Sequence, residues 1–188
     1  MSDADAIHKR GQALEEEFFH RLDDKLQQQL REKMAREKPK ELLAAATGFQ
    51  DEDLLNHLLD AGIGVNKLAA LALVPAVFVA WADGSVTAEE RQTVMSEAAK
   101  GGLDPASVAY QLVEAWLDER PAASLWELLR EYAAALSAEM PRPALEALAK
   151  EILREATAVA RASGGMLGMG KISHQEQLIL DRVTRTLR

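Results

Sequence analysis

Between Lys67 and Asp83 runs a stretch of 15 uncharged residues, Leu68 to Ala82, with Pro75 inside it. A bilayer-spanning helix needs roughly 20 apolar residues, so this run is too short to cross a membrane. A helix that is apolar all round and too short to span belongs at the centre of a helical bundle. The rest of the chain must then supply the helices that wrap it. Composition agrees. Ala (33) and Leu (27) account for 60 of the 188 residues, whereas Val, Ile and Thr together give 21. β-Branched residues favour strands, and Ala and Leu favour helices. The chain therefore reads as all-α, a compact bundle of about nine helices with short connections, and its length is ample for a buried core.

Punctuation residues divide the bundle. Leu14, Phe18, Leu22, Leu26, Leu30 and Met34 recur every four residues, which predicts a long amphipathic helix over 10–37. A step of four overshoots 3.6, so the stripe drifts around the helix and makes no straight coiled-coil seam. Such a helix wraps across its own domain, or across that domain and a partner. Pro39 suits the first position of a short helix ending at Thr47-Gly48. A third helix is expected over 51–61, with Gly62 as its C-cap. Asn66 is the expected N-cap of a single central helix reaching Ala82, and Asp104-Pro105 the expected start of the helix carrying Tyr110, Val113, Trp116 and Leu117. A further helix is predicted over 124–138, and Pro141 and Pro143 introduce a long one reaching Ala162. Residues 1–64 read as an N-terminal helical extension and residues 65–188 as the main domain.

Several classes of function are disfavoured at once. A net charge of −8 and a pI of about 5.1 argue against nucleic acid, whose phosphates are met by Lys and Arg. The absence of cysteine removes disulfides, thiolate metal sites and a cysteine nucleophile. The acidic start, Met-Ser-Asp-Ala-Asp, lacks the apolar run of a secretory signal, and the expected location is cytoplasmic.

Two stretches echo each other. Ala80-Trp-Ala-Asp-Gly84 leads through Ser85 into Val86-Thr-Ala-Glu-Glu90. Ala160-Arg-Ala-Ser-Gly164 leads through a glycine- and methionine-rich loop into Ile172-Ser-His-Gln-Glu176. Each is a helix end, a loop, an aliphatic residue, a Thr or Ser cap and a Glu three residues later, the capping-box pattern. Duplication of a helix–turn–helix unit explains this, and so do two capped junctions of separate origin.

Asp83 to Glu90 matches the second half of an EF-hand loop, with Asp, Gly, Val, Thr and Glu at positions 5, 6, 8, 9 and 12. Val79 and Trp81 fall at positions 1 and 3 and cannot ligate, so a true EF-hand is excluded. Asp83, Glu90 and Thr87 could still hold a weakly bound calcium, magnesium or manganese ion completed by carbonyls and water. The same residues also make an ordinary helix-ending turn and cap. Gly165-Met-Leu-Gly-Met-Gly-Lys171 imitates a phosphate-binding loop but has Ile172 where a hydroxyl must meet magnesium. Glu17-x-x-His20 is half of a di-iron motif without its other half. The histidines at 8, 20, 57 and 174 form no zinc spacing. Trp81, Trp116 and Trp126 read as core anchors, and no catalytic signature surrounds any Ser, Asp or Glu.

At Ala80-Trp-Ala-Asp-Gly-Ser-Val-Thr-Ala-Glu-Glu-Arg91 the chain resembles the tellurite-resistance TerB-like family, whose hallmark is a similar A-x-A-D-G-x-[VI]-x-x-x-E run between two helices. The resemblance covers about residues 65–188. It implies an all-helical duplicated bundle without enzymatic activity, with a role in binding or sensing metal ions in stress-response assemblies. Carried over by position, Asp83 and Glu90 are the acidic site candidates, and Glu176 is their counterpart at the second junction. Ser163 stands where the second Asp would be, and the inserted loop separates it further from Glu176. The expected function is thus a non-enzymatic TerB-like module that weakly binds a divalent cation. The alternative is a metal-free protein-interaction scaffold that uses the N-terminal helix against a protein partner or a second copy. Charge is consistent with a cation, since residues 39–99 hold 3 basic and 9 acidic side chains, 3 − 9 = −6 of the total of −8.

Overall fold

The computed structural model describes Lys25, residues 36–163 and residues 172–186. The stripe from Leu14 to Met34 apart from its Lys25, the pair Glu17 and His20, His8, and the loop Gly165–Lys171 lie outside the described residues. Packing divides the chain after Leu42. Lys25 is helical, as are residues 36–47 (α1), and Lys40 lies 3.7 Å from Glu37 within α1. Pro39 falls within α1 rather than at its first position.

The second unit, Leu43–Arg188, contains α2 (Glu52–Asp60), a 3-10 segment (Val65–Leu73), α3 (Val74–Ala80), α4 (Ala88–Lys100), α5 (Val108–Asp118), α6 (Ser124–Glu139), α7 (Arg142–Ser163) and α8 (His174–Thr186). Every described element is helical, so the all-α reading holds and no strand occurs among the described residues. No single described helix is long and apolar enough to cross a membrane.

The apolar run is central but is not one helix. Gly64 precedes the 3-10 segment without a side-chain cap, and α3 begins only at Val74 with Pro75 in its first turn. Proline has no N–H and crowds the preceding turn, so it starts an α-helix more readily than it continues one. Asn66 is therefore inside the 3-10 segment and not an N-cap. All seven residues of α3 are buried. They pack chiefly on α7, and also on α8 and α4, while α4 lies mainly along α7. A core of Val77, Val79, Val94, Val113 and Val159 fills this side. The other side gathers Leu43, Leu58, Ile63 and Leu71 around Trp126, which is 1 % exposed and meets Phe78 edge-on at 5.2 Å. Residues 43–63 thus share a core with α6.

Candidate functional site

The acidic turn forms where α3 stops. Trp81 closes the helix, Gly84 takes φ +97° and donates its N–H to the Trp81 carbonyl at 3.1 Å, and Asp83 Oδ1 accepts from Ser85 N at 3.2 Å. That φ favours glycine. Thr87 then caps α4. Its Oγ1 accepts from Glu90 N at 3.2 Å, while Glu90 Oε2 accepts from Thr87 N and Thr87 Oγ1, each at 2.8 Å. Glu90 is 1 % exposed. Burial pushes its carboxyl above the ordinary range, the two hydrogen bonds from Thr87 oppose this, and the charges of Asp83 and Glu176 add to the rise.

The second junction repeats the arrangement. Glu176 N donates to Ser173 Oγ at 3.2 Å, Glu176 Oε2 accepts from Ser173 N, and Glu176 is buried. The charges of Asp83 and Glu176 both act on the Glu90 carboxyl. Their oxygens suit a hard divalent cation, but Glu90 and Glu176 each commit an oxygen to a cap. Among the described residues no group of three or more His, Asp or Glu side chains is assembled to hold a metal.

A second acidic cluster went unforeseen. Glu97 on α4 is 4 % exposed and accepts from Lys100 Nζ at 2.8 Å and Arg154 Nη2 at 2.6 Å. These partners hold its carboxyl below the usual range. Arg154 also binds Glu151 at 2.7 Å. Glu155, beside it on α7, is 6 % exposed and lies 4.0 Å from the Arg154 guanidinium. Burial, helped by Glu151 and Glu97, pushes Glu155 up to about 7. The signal was present in the sequence. Ile152, Glu155, Ala156 and Val159 fall on one helical stripe, so Glu155 is a carboxyl in an apolar register. Glu90, Val94, Glu97 and Ala98 repeat that pattern on α4.

Two open cavities flank one side-chain pair. His57 Nδ1 on α2 and Glu131 Oε2 on α6 lie 2.8 Å apart, and Glu131 raises the imidazole pKa. One cavity of about 490 Å³ opens on one side of this pair, floored by Trp116, Leu125 and Leu128. Another of about 640 Å³ opens on the other, floored by Phe49, Leu54 and Ala135. Both are rimmed by carboxylates. Trp81 Nε1 donates to the Trp116 carbonyl at 2.8 Å, tying the acidic turn to α5 at the first cavity. Both indoles are half-buried, whereas Trp126 is fully in the core. The start of α5 also differs from expectation. Ser107 is the N-cap, and Asp104 instead accepts from Ala106 N at 2.8 Å in a turn before it.

No protein-family model, no curated protein and no solved structure matches this chain.

Proposed function

We propose that this chain is a non-enzymatic, TerB-like helical module that works by docking a protein segment along α2 and α6. One observation carries the reading: the two cavities beside His57 and Glu131 have apolar floors and a carboxylate rim, the pattern that takes an amphipathic helix with basic flanks. A binding role also suits the buried carboxylates, because Glu90 and Glu176 serve as helix caps and Glu97 as an ion-pair partner. The matching junctions at Thr87–Glu90 and Ser173–Glu176 support an internally duplicated helix–turn–helix core. Titrating the isotopically labelled chain with a basic and an acidic amphipathic peptide tests the docking. Amide shifts along α2 and α6 with the basic peptide alone support it, and shifts with neither refute it.

A second reading, weak binding of a calcium, magnesium or manganese ion at Asp83, Glu90 and Glu176, is favoured by the mutual repulsion felt at Glu90. A divalent cation would relieve it. Amide shifts at residues 83–90 on adding each ion, abolished in Asp83→Asn/Glu90→Gln, are the expected result. Unchanged spectra remove this reading and leave the first intact.

A further inference from the structure

We propose that the segment docked along α2 and α6 is residues 25–40 of a second copy of this chain; this rests on the docking reading above and names its partner. The two cavities flanking His57 and Glu131 carry Asp51, Asp53, Glu131 and Glu139 on their rims, and among the described residues no Lys or Arg lines either one. Glu127 is shared with Arg130 and Arg182 at the edge of the first cavity. The floors are aromatic and aliphatic. A fitting segment must therefore combine regularly spaced aliphatic side chains with a strong positive charge.

The chain itself contains such a segment. Residues 25–40 hold six basic side chains, Lys25, Arg31, Lys33, Arg36, Lys38 and Lys40, against Glu32 and Glu37, a net charge of 6 − 2 = +4. Leu26, Leu30 and Met34 recur among them at steps of four, the spacing that lines one side of a helix. On a chain of net charge −8 this is a concentrated basic block, while residues 41–64 carry five acidic side chains and no Lys or Arg. Opposite blocks on one sequence make two copies mutually complementary, the arrangement of an isologous pair. Charge complementarity of this kind fixes register and speeds encounter.

Sedimentation of the full chain over a concentration series, at low and high salt, tests the assignment. The expected result is a monomer–dimer equilibrium that weakens as salt screens the charges. Asp53 and Glu139 are exposed, so Asp53→Lys/Glu139→Lys leaves the core intact and is expected to weaken the dimer by about tenfold or more, the scale set by removing one close charge pair from an interface. Arg31→Glu/Lys33→Glu is expected to do the same, and the four substitutions together to restore association. A chain that stays monomeric throughout, or a dimer indifferent to both reversals, overturns the proposal. A basic amphipathic peptide of unrelated sequence separates the two levels. Shifts along α2 and α6 of a monomeric chain refute the second copy as partner while keeping the docking reading, and no shifts with no dimer refute both.

Discussion

Glu155 gives the fold an unusual dependence on pH that one substitution isolates. Its carboxyl is 6 % exposed in the α4–α7 contact, faces Glu97 and Glu151, and has Arg154 only at 4.0 Å. The native state raises it from an ordinary 4.5 to about 7. Between those values the folded chain keeps a proton that the unfolded chain has released, so stability falls as pH rises through the native value. The contribution is complete below pH 4.5 and gone above about 7. At about 1.4 kcal/mol per pH unit, ionising Glu155 in the folded protein costs about 3 kcal/mol. Relaxation of the half-exposed Arg154 toward the new charge reduces this to about 2 kcal/mol. Glu155→Gln keeps the shape and removes the charge. Urea unfolding of both proteins from pH 4 to 8 is expected to give equal midpoints at the acid end and a variant more stable by about 2 kcal/mol at pH 8. Every other titrating group is common to the two, so the difference curve belongs to Glu155. Parallel pH profiles, or a variant weaker at pH 8, would show that Glu155 holds no extra proton in the folded chain.

Glu97 behaves in the opposite sense. Lys100 and Arg154 lower its carboxyl, so its contribution is present above the unfolded value near 4.5 and disappears as pH falls through the native one. Glu97→Gln should cost about 1–2 kcal/mol at pH 7, because removing one partner strands a charge but both cations are half-exposed or more. The cost should vanish at low pH in the same urea series. Thr87→Ala should lower stability by about 2 kcal/mol, combining the missing cap on Glu90 N with the loss of one of the two hydrogen bonds to the buried Glu90 carboxylate, and Thr87→Ser should restore most of it in thermal melts. Glu131→Gln should bring the His57 titration midpoint, followed by imidazole NMR, back toward 6.5; an unmoved midpoint would show that the pair does not form in solution.

What the sequence made legible was local. The Thr87–Glu90 and Ser173–Glu176 boxes form within four residues, and both are present as read from the S/T-x-x-E spacing. Asp51, expected as the first residue of its helix, is instead the N-cap of α2, its carboxylate accepting from Asp53 N and Leu54 N. The helical class followed from the scarcity of β-branched residues. Where two local signals competed, the spacing misled. Asp104 and Ser107 are both capping residues, and Ser107 won because its hydroxyl reaches Tyr110 N at 3.2 Å, leaving Asp104 to close the turn before it. Pro75 was visible, but only the packing of Val74–Ala80 made it the start of a new helix. Pairings across the chain were not legible. His57 and Glu131 are 74 residues apart, and Glu97 and Arg154 are 57 apart. For the metal candidates, the resemblance makes Glu176 the counterpart of Glu90 at a second junction, and the burial of both as caps depends on which helices cover them.

The hydrogen bond from the Trp81 indole to the Trp116 carbonyl also makes the chain optically self-reporting. Trp126 is sealed in the core under the Arg182 guanidinium, 4.5 Å from its ring centroid, so its emission registers folding. Trp81 stands beside the acidic turn and Trp116 floors the cavity next to His57, and a single bond couples them. A cation at residues 83–90 and a helix along α2 and α6 would each disturb that couple from a different end. With Trp126→Phe as background, unlabelled fluorescence can then follow either event in real time.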